Sequence, residues 1–378
     1  MLRKKIAVIT NIPTPYRRDL FVKLSASEKF ICKVFFTAHT EQNKLWDHAD
    51  FLDYPHVFVP GWSIKRKDGL ATYINLSLLY YLKEYSPDII IVGGSSVPAL
   101  LCIIYKKLFA CRVFIWWAGT YLSEAKKSGV IGLFRKWLFK RAEGFLAYSH
   151  LSEQYLKSFN IRSNTVTLIG NNTLDSERYA YEVRKYKDKH TRKVSDDFII
   201  LIISQLIHRK NIMLVLETFS LLSHKYPNII LKIAGKGPEE ASLKAYCKEN
   251  NLNNVYFLGN VQPQDLKKYY AEADVLVSIA HMDQWPQVVN EAMSCGVPVI
   301  ASTTSGIDND FLQDGINGYL VDPMDKEKLL RNLEYLLLNP DKAKSIGNEA
   351  FRIARAHDVH HVISCIEKVL LNENSSHP

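Results

Sequence analysis

Short apolar runs recur along this chain at 6–10, 33–37, 89–92, 112–117, 144–148 and 165–169. Between them lie segments whose apolar residues have helical spacing, at 16–25, 71–85, 98–109, 133–142 and 153–159. A run such as Ile89-Ile-Ile-Val92 has no polar alternation, so neither face of that strand can meet water. Continuous apolar strands alternating with helices predict a parallel sheet covered on both faces. The pattern stops in the highly charged stretch 180–197 and restarts at Phe198-Ile-Ile-Leu-Ile-Ile203. Strands are then expected at 229–234, 255–258, 275–278, 298–301 and 318–321, and helices at 212–224, 239–249, 264–271, 287–294 and 326–338. The chain reads as α/β, with two doubly wound, Rossmann-like domains at 1–180 and 198–355 and a charged linker at 181–197. Residues beyond 346 read as helical to about 371, with 356–371 as the last helical segment and a frayed tail at 372–378.

Composition narrows the class. At 378 residues, 47% hydrophobic and 23% charged, the chain can bury two ordinary cores and is neither disordered nor fibrous. Cys32, Cys102, Cys111, Cys247, Cys295 and Cys365 are scattered, without a Cys-x-x-Cys pair, which suits reduced thiols in a cytoplasm. The basic start is followed by too short an apolar run for a signal peptide, and no stretch is apolar enough to span a membrane. The net charge of +9 is uneven: residues 1–180 hold 25 basic against 14 acidic side chains, the remainder 23 against 25. A basic first half can meet an anionic membrane or a phosphate-bearing substrate; no nucleic-acid motif accompanies it.

The chemistry concentrates in Asp283-Gln284-Trp285-Pro286-Gln287-Val288-Val-Asn-Glu291-Ala-Met-Ser-Cys-Gly296-Val-Pro-Val-Ile300. Two carboxylates lie eight positions apart, the first on a loop and the second inside a short helix. Pro286 suits the first turn of that helix and Gly296 the position past its end. The helix start offers N–H groups to an anion, flanked by acceptors for sugar-type hydroxyls. Judged by spacing alone, an ordinary strand–helix–strand unit with solvated acids is the commoner arrangement.

The segment resembles the Glu-x7-Glu signature of retaining glycosyltransferases of family 4, which have the GT-B fold, and the likeness continues through Ser305-Gly306 and Asp314-Gly-Ile-Asn-Gly318-Tyr-Leu-Val321. Asp283 stands where the family has its first Glu. The resemblance implies that Glu291 accepts hydrogen bonds from a ribose, while Asp283 and the backbone of 284–287 face the sugar. Ser204-Gln205-Leu-Ile-His-Arg209-Lys210-Asn211 resembles the family's Gly-Arg-Leu-x-x-x-Lys-Gly motif, with Lys210 at the cation that holds the donor diphosphate. Gln205 replaces the motif's Arg, and Arg209 lies nearby. A fixed ammonium there stabilises the charge that a departing diphosphate gains. Gly235-Lys-Gly237-Pro238-Glu239 and Leu258-Gly259-Asn260-Val261 resemble nucleotide-side elements. The first is weak alone, since the dinucleotide fingerprint needs a third glycine.

The first domain matches less closely. Asn11-Ile-Pro-Thr-Pro-Tyr16-Arg17 replaces the family's Gly-Gly loop, as in some members, and Trp116-Trp117-Ala118-Gly119 occupies the region of its histidine. Tyr16, Arg17, Gly119 and His150 are therefore weaker acceptor-side or inter-domain candidates. In the segment 132–142, Phe134, Leu138 and Ala142 form a core stripe flanked by Trp137, Arg135, Lys136, Lys140 and Arg141, a pattern shared by solvated helices and by helices that dock on anionic lipid. The resemblance thus implies sugar transfer from a nucleotide diphosphate, UDP by expectation, to a glycan or lipid-linked glycan in bacterial surface polysaccharide or lipopolysaccharide assembly. No cofactor or metal is implied, and the expected place is the cytoplasm, at the inner face of the membrane. A GT-B epimerase or hydrolase, or a degenerate nucleotide-sugar-binding protein, is the rival reading.

Overall fold

The fold was obtained as a computed structural model, which describes residues 3–40, 51–65, 71–124, 129–189, 197–307, 309 and 311–371. The chain divides into two compact units, 1–173 with 359–378 and 174–358.

In the first unit the strands are β1 (Lys4–Thr10), β2 (Phe30–Phe36), β3 (His56–Phe58), β4 (Trp62–Lys65), β5 (Ala71–Ile74), β6 (Ile89–Gly93), β7 (Arg112–Trp117), β8 (Gly144–Ala147) and β9 (Val166–Leu168). Seven of them form a parallel sheet in the order β3-β2-β1-β6-β7-β8-β9, and β4 pairs antiparallel with β5. Five helices join these strands: α1 (Arg18–Ser25), α2 (Leu78–Tyr85), α3 (Val97–Leu108), α4 (Gly129–Phe139) and α5 (His150–Lys157). Ser96 and Ser149 cap α3 and α5 by accepting from Ala99 N and Ser152 N, which satisfies a donor at each helix start.

The second unit opens with α6 (Ser176–Lys189) and carries β10 (Phe198–Ile203), β11 (Ile229–Ala234), β12 (Val255–Gly259), β13 (Val275–Ser278), β14 (Val299–Ser302) and β15 (Tyr319–Val321). These form a parallel sheet ordered β12-β11-β10-β13-β14-β15. Its helices are α7 (Ile212–Lys225), α8 (Glu240–Glu249), α9 (Pro263–Glu272), α10 (Gln287–Ser294), α11 (Lys326–Leu338) and α12 (Pro340–Ala356). The final helix, α13 (Val359–Leu371), is part of the first unit and packs on α1 and β9. Arg112 holds its end by donating to Leu370 O at 2.8 Å, and Glu367 accepts from Lys29 at 2.6 Å. Each order reverses direction once, between β1 and β6 and between β10 and β13. Ligands of doubly wound sheets bind beyond the carboxyl ends of the strands at such reversals.

Several expectations need correction. Residues 71–85 read as one helix, yet 71–74 is strand β5 and the helix begins at Leu78. Buried Asn75 makes the break, its amide donating to Thr37 O and Val59 O at 3.0 and 2.8 Å. The expected linker begins as helix α6, whose Tyr179, Ala180 and Val183 are buried; its part 190–196 lies outside the described residues. The helical stretch after 346 is two helices that meet at His357-Asp358, and the tail 372–378 also lies outside the described residues. Arg135, expected on a basic surface, is buried: it donates to Tyr155 Oη at 2.6 Å and to Ser95 Oγ at 3.1 Å, and pairs with Glu124.

Gly235 shows what the close approach of two loops requires. At φ +146°, a Cβ there would fall 1.8 Å from Ser204 O, and one at Gly237 would fall 2.2 Å from Leu206 O. Gly259, at φ +68°, has only Lys236 Cε within reach, at 3.6 Å. Gly259→Ala is expected to cost about 1–2 kcal/mol, the left-handed backbone term. Gly235→Ala should cost more, because a carbonyl must move as well. Urea unfolding of the two variants checks this, and equal losses would contradict it.

Candidate functional site

The second unit's candidate residues gather at the reversal between β10 and β13. After β10 the chain is stitched to its neighbour, Ser204 N donating to Ala234 O and Leu206 N to Lys236 O at 2.9 and 3.0 Å. A single 3-10 turn, His208–Lys210, follows, and Asn211 closes it in the left-handed region, its amide donating to Pro323 O at 2.7 Å. The turn aims Lys210 across the reversal at the loop after β13, where its ammonium donates to Asp283 Oδ2. Both side chains are mostly buried, 18% and 16% exposed, so each needs the other's charge. Arg209 Nη1 lies 3.9 Å from the same Asp283 oxygen and donates to Met282 O at 2.6 Å, while Arg209 O accepts from His281 N. Gln205 is half-buried at the end of β10, and Arg209 is the second cation at the carboxylate.

Asp283 is fixed from all sides. Its Oδ1 accepts from Gln284 N at 2.8 Å and its carbonyl accepts from Gly306 N at 2.8 Å. Gly306 is needed there: a Cβ would sit 2.0 Å from Gln284 O. The following turn leads into α10, whose N-cap is Pro286, one residue outside the helix. No side chain caps this start. Trp285 is buried against Phe311 and donates to Asn290 Oδ1 at 2.8 Å, and Asn290 donates to Gln287 Oε1 at 3.0 Å. Its indole is thus committed to holding the turn. Gln284 is exposed, while Gln287 and Val288 are half-buried. Gly296, at φ +70°, ends the helix as expected.

Glu291 is one turn further along α10. Burial pushes its carboxyl up to about 7, although Tyr270 donates to Oε2 at 2.6 Å and Lys267 lies nearby, both favouring the charge. Lys267 and Tyr270 come from α9, and Lys267 pairs with Glu182 of α6. Buried Tyr179, also on α6, packs on Tyr270 with ring centroids 6.2 Å apart. Sequence reasoning missed Tyr270 and Lys267, since nothing in their local pattern announces that they reach a neighbouring helix. Gly235 N donates to Gly259 O at 2.7 Å, so those two glycines tie adjacent strand ends together, with Asn260 exposed and Val261 half-buried beyond them.

In the first unit, Tyr16 and Arg17 form a 3-10 turn after β1. Arg17 donates to Thr10 Oγ1 and Tyr148 Oη at 2.8 and 3.1 Å and stacks over Trp116 at 4.8 Å. Gly119 packs beneath Trp117, whose indole donates to Gly119 O at 2.9 Å. His150 is exposed at the start of α5, and it is Tyr148, two residues earlier, that reaches Arg17.

Residues 183–352 match the family described as glycosyl transferases group 1. An uncharacterised glycosyltransferase of Methanocaldococcus jannaschii is 25% identical over 60% of this chain and 58% of its own length. The capsular polysaccharide biosynthesis glycosyltransferase CapM of Staphylococcus aureus is 24% identical over 52% of this chain and 53% of its own length. The alignments with curated relatives thus span little more than half of those proteins. Among solved structures, Anabaena HepE in complex with UDP superposes with a TM-score of 0.77 at 18% identity, covering 97% of this chain and 99% of that one. Sucrose-phosphate synthase of Thermosynechococcus elongatus gives 0.76 at 18% identity, covering 97% and 98%. The two doubly wound domains have the GT-B fold.

The Tyr270–Glu291 bond generates a direct test. In NMR of isotope-labelled glutamate carboxyls, Glu291 should titrate with a midpoint of about 7. Tyr270→Phe removes a donor to the ionised form and should raise that midpoint further. A wild-type midpoint in the ordinary carboxylate range, or no shift in the variant, would refute the arrangement.

Proposed function

We propose that this chain, whose residues 183–352 match the glycosyl transferases group 1 family, moves a sugar from a nucleotide diphosphate to an acceptor glycan with retention of anomeric configuration. The observation that carries the reading is Lys210 held by Asp283 beside the uncapped start of α10. A diphosphate bound there meets a fixed ammonium and the helix N–H groups, with Arg209 close by. As the bond to the sugar breaks, the leaving phosphate gains charge that these groups stabilise more strongly than in the ground state. Lys210 and Asp283 are the residues assigned to the reaction. In a same-face mechanism the leaving phosphate takes the acceptor's proton, so no side chain need act as base.

Glu291 is assigned to the ribose, whose two hydroxyls would donate to its carboxylate. A UDP-sugar is the preferred donor. HepE has been solved with UDP and with UDP-glucose, and the lipopolysaccharide outer core galactosyltransferase WaaB has a similar fold at 18% identity. CapM, named for capsular polysaccharide, supports a surface glycan as product. For a lipid-linked acceptor the relevant surface is the start of α4. Val130, Ile131 and Leu133 are 84%, 44% and 70% exposed, next to exposed Lys136 and Lys140. Apolar residues beside lysines suit shallow contact with an anionic bilayer. No helix among the described residues is long and apolar enough to cross one.

Lys210→Met is expected to lower kcat about 100-fold with a smaller change in KM, the scale of losing one charge-stabilising donor. A change confined to KM would remove Lys210 from the reacting phosphate. Nucleotide-sugar affinity should rise with pH through about 7, because ribose hydroxyls bind the ionised carboxylate and the folded chain holds Glu291 protonated below that point. Glu291→Gln should weaken affinity and flatten this dependence; calorimetric affinities that stay pH-dependent in the variant would reject the assignment. Phosphatidylglycerol vesicles should bind the chain and release Leu133→Glu or the wild type in high salt. Retention of both would defeat membrane contact through α4.

A further inference from the structure

Several arginines withdrawn from water have a carboxylate or the carbonyl end of a helix beside them. Arg135 has Glu124, Arg18 has Asp53, and Arg112 sits on the carbonyls that end α13. Arg17 differs. Its hydrogen-bond partners are the neutral hydroxyl oxygens Thr10 Oγ1 and Tyr148 Oη, and among the described residues it forms no ion pair. Of a guanidinium's five N–H donors, these two bonds leave three. Its Nε is buried and donates to nothing, and the same holds for Trp116 Nε1, whose ring lies 4.8 Å below. Thr14 Oγ1, on the same turn, is also buried and unpaired; Thr14 is 1% and Trp116 6% exposed. Buried donors without acceptors are uncommon, and three of them gathered on one turn and its neighbouring ring can be satisfied by an acceptor that binds there. A cation withdrawn from water without a counter-charge is costlier still.

Location makes this cluster more than a local irregularity. Thr10 ends β1, Trp116 is on β7 and Tyr148 follows β8, so Arg17 reaches from one side of the reversal between β1 and β6 to the other, along the carboxyl edge of the first sheet. The contacts fix the guanidinium: two hydrogen bonds set its plane and the Trp116 face supports it. A pinned, uncompensated guanidinium with donors to spare has the chemistry for a planar or tetrahedral oxyanion. We infer that Arg17 anchors a substrate's phosphoryl or carboxylate group at the carboxyl edge of the first domain, with Thr14 and Trp116 as further hydrogen-bonding partners.

The anion site stands on the first unit's own geometry, and only the identity of its ligand rests on the transferase reading. Two sources share the chemistry, the diphosphate of the donor and an acidic or phosphate-linked acceptor. Binding of inorganic pyrophosphate, followed by phosphorus NMR line broadening, tests the site directly. It is best measured in a Lys210→Met chain, which removes the second domain's principal cation. Pyrophosphate should still bind, and adding Arg17→Met should weaken it about tenfold or more, with Arg17→Lys intermediate. Thermal unfolding checks that each chain is folded; if Arg17→Met is not, Tyr148→Phe keeps the guanidinium, loosens its plane and should weaken binding severalfold. Nucleotide-sugar affinity then separates the sources: a loss in Arg17→Met assigns the anion to the donor, and an unchanged affinity with impaired use of acceptor assigns it to the acceptor. Pyrophosphate binding indifferent to Arg17 and Tyr148 would overturn the inference. Failure of every nucleotide-sugar to bind, with an Arg17-dependent pyrophosphate signal intact, would sink the transferase reading and leave the anion site standing.

Discussion

The ion pair between Lys210 and Asp283 spans the point where the second sheet reverses its strand order, and the surrounding loops are arranged to present it. Lys210 comes from the loop after β10 and Asp283 from the loop after β13, adjacent strands whose connections run in opposite directions. Such a reversal opens a crevice because the two loops turn away from each other. Closing it with a mostly buried pair gains little net stability, since desolvation offsets most of the attraction. What the pair gains is position: an ammonium held at one place, with a second cation, Arg209, 3.9 Å from the same carboxylate. The glycines at 235, 237 and 306 serve this arrangement by letting backbone pass where any side chain would collide with a carbonyl.

Charge is handled differently in the rest of the molecule. Arg135 is drawn into the first core by Glu124 and Tyr155 and fixes the segment around Gly119. Glu291 is surrounded by Tyr270, Tyr179 and the Lys267–Glu182 pair, close to the balance between its two protonation states. Arg17 alone among these has neutral partners only. The three environments sort the charged groups by task. A compensated charge holds the fold, a nearly balanced one is sensitive to a hydroxyl-bearing ligand, and an uncompensated one looks for an anion.

Most strands of both parallel sheets were legible because burial on two faces writes an unbroken apolar run, as in 89–92 and 198–203, whereas the short edge strand His56–Phe58, half-buried throughout, was not. The antiparallel β5 was not, since Ala71-Thr-Tyr-Ile74 becomes a strand only through its pairing with Trp62–Lys65. Helix α6 was hidden by its charges: Tyr179, Ala180 and Val183 suffice to bury it against α9 and α10, but they are few in a basic and acidic stretch. Lys210, Asp283 and Glu291 could be nominated from the sequence because each lies in a continuous motif, and the fold brings Lys210 and Asp283 into contact. Tyr270 and Tyr148 could not, because each acts on a residue of another element through a phenol that any buried tyrosine carries. Arg135 misled for the complementary reason, its partners Glu124 and Tyr155 being separate in sequence from the helix that bears it.

The most direct measurement of the account is a crystal structure of the chain with a bound nucleotide diphosphate. The account predicts a phosphate oxygen within hydrogen-bond range of Lys210 Nζ, the helix start at 286–288 facing the same phosphate, and both ribose hydroxyls on Glu291. A nucleotide bound elsewhere, with the Lys210–Asp283 pair sealed from it, would contradict the account at its centre.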